Sequence, residues 1–192
     1  LPRAHSVINP NRLDEDGAYG HLCAAGVVFI LLVALLRELR RRGAFEGGRQ
    51  APDLMRQLDL VGLATVCDVV PLRGINRAFV GQGLKMLARR GNIGLACLAD
   101  VSGLNTPPSG HTFGFMLGPR INAGGRIGSS DLGVRLLSTQ SGDEALGLAA
   151  ALDELNIRRR EIEHDIRAHA MDMAAEQADR PVVLVGHPDW HE

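Results

Sequence analysis

The chain has 192 residues, of which 45% are hydrophobic, 22% charged and 4% aromatic, a composition that excludes disordered, collagen-like and disulfide-rich scaffolds. The 21 basic and 22 acidic residues leave a formal net charge of −1. Any site for a polyanion must therefore be local, since the chain has no global positive field. The three cysteines are widely spaced and form no CxxC pair, which predicts neither a zinc site nor disulfides and favours a reducing, cytoplasmic compartment.

The first half of the chain predicts one short strand and four helices. Val7–Ile8 predicts the strand, and the turn at residues 9–12 follows it. The apolar run at 22–36 is shorter than the ~20 residues of a membrane span, so it favours a buried core helix over 22–42. The other helices are predicted at 53–65 with Asp53 as N-cap, at 76–90 with Asn76 as N-cap, and at 93–101.

The second half predicts two more helices and another strand. An apolar stretch at 111–117 enters a glycine-rich segment at 118–128, and a helix capped near Asp131 follows it to Leu137. Residues 142–177 carry a sustained apolar stripe with charges opposite, which predicts a helix about 50 Å long that connects two domains. Residues 182–185 predict a buried strand that begins a second domain. Because the chain starts at Leu1 and stops in a polar segment, we expect a piece of a longer protein.

Asp68 is the first candidate for chemistry. It stands among apolar residues just after a predicted helix, where the helix dipole is negative and disfavours a carboxylate. A hard divalent metal ion bound by the carboxylate would compensate that charge. The alternative from spacing alone is an aspartate that points to water from a turn.

The glycine-rich segment is the second candidate. Its glycines predict free backbone N–H groups, and Arg120, Asn122 and Arg126 add side-chain donors before the next helix begins. Together these are the parts of an anion-binding site. The segment matches neither the Walker pattern nor GxGxxG, so a nucleotide-binding fold is not supported. A tight loop with surface arginines explains the same residues.

The histidines and the single tryptophan are weaker signals. Histidines in helical or apolar settings are more often packed or solvated than bound to a metal. His187 and His191 flank Trp190, which could stack on a nucleic-acid base but is more often a packing residue.

Five collinear phrases resemble the RecJ family of single-strand exonucleases in the DHH phosphoesterase superfamily. They are VINPN at 7–11, LCAAGVVF at 22–29, LDLVGLATVCDVVPL at 58–72, LGPRINAGGRI at 117–127 and GHPDWH at 186–191. Cys67 stands where the family commonly has alanine, and Gly124–Gly125 where it generally has Ala-Gly; both changes are small.

This resemblance implies a fold and an activity. The fold would be α/β: the C-terminal part of a DHH catalytic domain at 1–140, a long connecting helix at 141–180, and the first strand of a DHHA1-type domain at 181–192. The activity would be 5′-to-3′ hydrolysis of single-stranded DNA in recombination and repair, by a two-metal site that holds Mn²⁺ or Mg²⁺.

The resemblance also implies roles for individual residues. Asp68 matches a metal-ligating, catalytic aspartate of the family, and the remaining ligands would precede Leu1. Arg120, Asn122 and Arg126 would bind the DNA substrate. The expected protein is a cytoplasmic monomer without a membrane segment, able to interact with DNA-repair or single-strand-binding proteins. This piece alone would be inactive.

Two alternatives stay open at this point. One is a DHH relative that acts on short oligonucleotides, cyclic dinucleotides or pyrophosphate. The other is a catalytically inactive DNA-replication scaffold of the same fold.

Overall fold

The computed structural model describes residues 4–14, 16–177 and 179–190. Seven α-helices form within these residues, together with a 3-10 turn (Leu54–Gln57) before α2 and a π-helical turn (Thr112–Leu117) before α5. The helices are α1 (Ala24–Arg41), α2 (Leu58–Cys67), α3 (Gly74–Ala88), α4 (Ile93–Val101), α5 (Gly118–Ile127), α6 (Leu132–Ser138) and α7 (Gly142–Ala175). The predicted helix at 93–101 is confirmed residue for residue, and those at 22–42 and 142–177 are confirmed to within two residues at each end.

Two predicted helix starts are wrong in detail. Asn76 is not an N-cap, because α3 begins at Gly74 and the Asn76 side chain is completely buried. Asp53 does accept a hydrogen bond from the Met55 N–H at 3.1 Å, but the turn it opens is 3-10 and the α-helix begins at Leu58.

The glycine-rich segment is a helix. The prediction of a loop with free N–H groups is therefore wrong, because α5 uses these groups in its own helical hydrogen bonds. Pro119 lies in the first turn, where a helix needs no N–H donor. Gly124 allows close packing on α7, since a Cβ at this position would lie 2.9 Å from Leu152 Cδ2. Tertiary contact thus offsets the weak helix propensity of glycine.

No strand forms in the part of the chain that the structure describes, so the strands predicted at Val7–Ile8 and at 182–185 are absent there. Val182 and Leu184 are 80% and 88% exposed, in contrast to the predicted buried strand. A strand requires a neighbour to complete its hydrogen bonds, and neither segment has one among these residues. The described residues accordingly form an all-helical structure.

Two apolar clusters form the core, and α2 belongs to both. One lies between α1, α2 and α3, where the Phe29 and Phe79 rings meet edge to face at 5.4 Å. The other joins α2 and α3 to α4–α7 around fully buried residues that include Phe113, Leu117 and Leu152. Because α2 is packed on both sides, the residue at its C-terminal end is held by a rigid element.

Helix α1 is only partly the buried core helix that the sequence predicts. Its buried residues are Gly26, Phe29 and Leu36, whereas Val28, Leu31, Leu32, Val33 and Leu35 are each 38–52% exposed. None of the helices in the described ranges has both the length and the apolar character to cross a bilayer.

Helix α7 changes character along its length. Its buried residues, from Ala145 to Asn156, all lie in the first half and pack on α4, α5 and α6. At 1.5 Å per residue its 34 residues extend for about 50 Å. The second half has no fully buried residue among those described; Ile162 and Ile166 are half-buried, and Trp190 meets His169 edge to face at 5.5 Å.

Candidate functional site

Asp68 lies at a strained turn that ends α2. Its backbone N–H donates to the Ala64 carbonyl at 2.9 Å, and the next residue, Val69, donates to the Val66 carbonyl at 3.1 Å. Val69 has a φ of 54°, a left-handed conformation that β-branched residues rarely adopt. Such strain persists only where the surrounding structure enforces it, and it is frequent at functional sites.

The Asp68 carboxylate is exposed and free of protein partners within the described residues, where it accepts no hydrogen bond and forms no ion pair. It also stands at the negative end of the α2 dipole, which disfavours a carboxylate. No interaction among the described residues therefore compensates its negative charge. A hard carboxylate oxygen in this setting fits Mg²⁺ or Mn²⁺.

The described residues do not complete a metal site around this carboxylate. No group of three or more His, Cys, Asp or Glu side chains among them is placed to hold a metal ion. Burial, and secondarily the charge of Asp68, raise the pKa of the neighbouring Cys67 thiol to about 11. The thiol therefore stays protonated at neutral pH.

The Asp68 turn and the start of α5 are in direct contact. Cys67 Sγ lies 4.0 Å from the Phe113 carbonyl oxygen, and a Cβ at Gly118 would overlap Cys67 Sγ. The glycine at position 118 is what allows this approach. The catalytic candidate and the glycine-rich helix thus belong to one packed unit.

A groove of about 670 Å³ runs between α5 and the middle of α7. Its apolar surface comes from three isoleucines, and its polar groups come from two arginines, one asparagine and one glutamate. The lining residues are Pro119, Asn122, Arg126, Ile127, Arg159, Ile162, Glu163 and Ile166.

The three predicted substrate-binding residues are placed differently. Arg126 and Asn122 are exposed in the groove, and their side chains make no hydrogen bond or ion pair with any described residue. Arg120 is instead enclosed: its side chain is 16% exposed, its Nε donates to Asp153 at 2.7 Å, and its Nη1 donates to the Met116 carbonyl at 2.7 Å. Arg120 thus joins the π-helical turn and α5 to α7.

Three further side chains in these regions make contacts that the sequence analysis did not predict. Asp153 pairs with Arg120 across 33 residues of sequence. Arg159 lines the groove and donates to Glu163 at 3.0 Å and to Asn156 at 3.4 Å. Asn76 joins two loops near Asp68. The four-residue spacing of Arg159 and Glu163 on a helix predicts their ion pair. The contacts of Asp153 and Asn76 depend instead on the tertiary fold.

The C-terminal aromatic group is a packing cluster in this structure. His169, His187 and Trp190 lie with ring centroids 5.1–6.2 Å apart, and the His187 Nδ1 lies 3.6 Å from Asp189 Oδ2. His191, the other histidine of the GHPDWH phrase, lies outside the described residues.

Comparisons with curated proteins and with solved structures both find RecJ exonucleases. No protein-family model matches it. The single-stranded-DNA-specific exonuclease RecJ of Salmonella typhimurium is 39% identical over 202 residues, an alignment that covers all of this chain and 35% of that protein. The crystal structure of RecJ in complex with Mn²⁺ from Thermus thermophilus superposes with a TM-score of 0.71 at 34% identity, over 86% of this chain and 24% of that one. The chain matches a segment of RecJ.

The match confirms the family resemblance and the RecJ fold of this segment. The structure of the same Thermus RecJ with Mg²⁺ superposes with a TM-score of 0.69 at 33% identity. The chain spans about a third of the length of the Salmonella RecJ that it matches.

Proposed function

We propose that the chain is part of a RecJ-type exonuclease, which hydrolyses single-stranded DNA from the 5′ end in recombination and repair. The carrying observation is the match to RecJ exonucleases along all of its length, at 39% identity to the Salmonella protein. The exposed, unpaired Asp68 at a strained turn supports an active-site position for this residue.

In this proposal the chain supplies three parts of the longer protein. Residues 1–140 are the later part of an α/β DHH domain, residues 141–180 are the connecting helix, and residues 181–192 begin a DHHA1-type domain. The exposed apolar residues of α1 and the exposed Val182 and Leu184 support this arrangement, because other segments of the enzyme would cover them.

Asp68 is the metal ligand that this segment contributes. When bound, two divalent ions, Mn²⁺ or Mg²⁺, supply hydroxide and neutralise charge on the attacked phosphodiester. The contribution of α2 is to hold the carboxylate at a defined point, packed on both sides by the core. Other ligands would come from residues outside this chain, and the chain alone would lack hydrolytic activity.

The α5–α7 groove binds the DNA strand. Arg126 and Asn122 offer unpaired donors to phosphate, and Ile127, Ile162 and Ile166 offer apolar surface to the bases. Arg120 stays in the proposed substrate-binding set through its Nη2, for which no described residue is an acceptor. Its main effect is to orient the groove wall.

The partners in this proposal are single-stranded DNA and the repair or single-strand-binding proteins that accompany it. The enzyme would act as a monomer in the cytoplasm. No part of the proposed activity requires a membrane.

The test is an exonuclease assay on the full-length protein with Mn²⁺, using single-stranded DNA labelled at either end. We expect release of nucleotides from the 5′ end and little activity on duplex DNA. Preferential hydrolysis of cyclic dinucleotides, short oligonucleotides or pyrophosphate would support the related phosphoesterase instead. DNA binding without hydrolysis of any of these substrates would support the inactive scaffold.

A further inference from the structure

Asn76 is completely buried and joins the segment after Asp68 to the loop before α1. Its side-chain Nδ2 donates to the Pro71 carbonyl at 3.0 Å and to the His21 carbonyl at 2.8 Å. Pro71 lies three residues after Asp68, and His21 lies 55 residues before Asn76 in sequence. One amide therefore satisfies two loop carbonyls and ties both loops to the first turns of α3.

The contact opposes relaxation of the Asp68 turn. Val69 is held at a φ of 54°, a conformation with a cost that the surrounding structure must offset. Only Val70 separates this residue from Pro71, whose carbonyl is anchored by Asn76 and also accepts the Arg73 N–H at 2.9 Å. Without the Asn76 amide, the segment after Val69 loses its buried anchor.

The other end of the same amide has no partner. Asn76 Oδ1 is buried and accepts no hydrogen bond from any described residue. A buried acceptor without a donor is destabilising, and native structures rarely contain one. This oxygen is therefore open to a donor from beyond the described residues.

We propose that Asn76 is a positioning residue for the Asp68 carboxylate. It acts through the 69–73 segment, whose Pro71 carbonyl it anchors. This inference rests on the proposed role of Asp68 as a metal ligand. Residues that orient a metal ligand typically change metal affinity 10–100-fold when they are replaced.

The experiment measures Mn²⁺ binding by calorimetry and the Mn²⁺ dependence of turnover in the full-length enzyme, with Asn76→Ala, Asn76→Ser and Asp68→Asn. We expect Asn76→Ala to raise the half-saturating Mn²⁺ concentration roughly 10-fold or more. Turnover should recover to within a few-fold at saturating Mn²⁺, and the KM for DNA should not change. Asn76→Ser keeps one hydrogen-bond donor and preserves the fold, so we expect a smaller rise in the half-saturating Mn²⁺ concentration than in Asn76→Ala. Asp68→Asn should not recover at any Mn²⁺ concentration.

Leu87→Ala is the matched control, because Leu87 is buried at the opposite end of α3. It should lower the thermal midpoint without changing the half-saturating Mn²⁺ concentration. A wild-type Mn²⁺ dependence in the folded Asn76→Ala or Asn76→Ser protein would overturn the positioning role. Normal turnover of Asp68→Asn would instead overturn the proposed role of Asp68, and this inference with it.

Discussion

The Asp68 turn and the packed contact between α5 and α7 hold their charged residues in opposite ways. Asp68 is exposed on a strained turn without a protein partner, whereas Arg120 is enclosed by an ion pair with Asp153 and a hydrogen bond to the Met116 carbonyl. An enclosed, paired charge stabilises the packing of helices, and an unpaired charge on a rigid element is available to a ligand. Helix α5 carries both kinds, since Arg126, which lines the groove, is exposed and unpaired within the described residues.

The strongest test of this contrast is Asp68→Asn in the full-length enzyme. A lost metal ligand removes several kcal/mol of transition-state stabilisation, so turnover on single-stranded DNA should fall roughly 10³-fold while DNA binding persists. Asp100→Asn is the control, because Asp100 is also an exposed aspartate near a helix end but is paired with Arg90. Steady-state kinetics and DNA-binding titrations measure both effects. Equal turnover of the two variants would remove Asp68 from the metal site.

The next effect concerns the register of α7, the helix that connects the groove to the proposed domain that begins at 181–192. Two alanines inserted after Ala174 lie inside the helix and rotate the following segment by about 200°. Cleavage of long single strands should fall about 10²-fold, because groove and chemistry would no longer align on one strand. The same insertion after Gln177 lies beyond the helix and should have a much smaller effect. Equal rates for both insertions would make α7 a passive tether.

Arg120→Ala tests the structural role of the α5–α7 contact beside the groove. Removal of one partner from the partly buried pair with Asp153 should destabilise the chain by about 2 kcal/mol and lower the thermal midpoint by ~4–8 °C. Calorimetry measures the change, and the Arg120→Ala/Asp153→Ala double variant measures the coupling. An unchanged midpoint would show that the pair contributes nothing to the packing of α5 on α7.

Arg126→Ala should have the converse profile. Its side chain has no protein partner in the described structure, so stability should stay within about 0.5 kcal/mol of the original. Single-stranded DNA binding should weaken, and the slope of log K against log salt should fall by about 0.7 for the lost phosphate contact. Arg158→Ala is the matched control, since Arg158 is exposed on α7 but does not line the groove. Identical slopes in both variants would place the DNA elsewhere.

The smallest expected effect is at the other end of α2. Asp59 is 2% exposed, and burial raises the pKa of its carboxyl. The folded state therefore binds a proton more tightly than the unfolded state does. The free energy of unfolding falls as pH rises from the pKa of Asp59 in the unfolded state to its higher pKa in the folded state. Asp59→Asn keeps an acceptor for the Leu60 N–H and should raise the thermal midpoint by ~2–4 °C at pH 7, and less at pH 3. A gain of the same size at both pH values would argue against a titration effect.

Several features of the fold follow from local signals in the sequence. The helices at 93–101 and 142–177 were predictable from the sequence. The structure adds their N-caps: Asn92 accepts from the Leu95 N–H, and Ser141 from the Glu144 N–H. Asp68 was identifiable as a candidate because its place after a helix and its apolar neighbours are visible in the sequence. These signals act within a few residues, so they need no knowledge of the fold.

Other features depend on contacts between distant residues. The sequence alone predicts a loop for the glycine-rich segment, yet the close approach of Gly124 to Leu152 and of Gly118 to Cys67 makes it a helix. The enclosure of Arg120 depends on Asp153, and the burial of Asn76 depends on His21. Local propensity is worth less than 1 kcal/mol per residue at most positions, so tertiary packing of this kind overrides it.

The sequence by itself determined that the chain is a RecJ-like segment with a candidate metal ligand at Asp68 and a long final helix. Only the tertiary structure decided which polar residues are enclosed and which are available to a ligand. The physical reason is that burial and pairing belong to the packed arrangement of helices. Arg120 and Arg126 are six residues apart in one helix and cannot be distinguished from the sequence, but only Arg120 is paired with a carboxylate, that of Asp153.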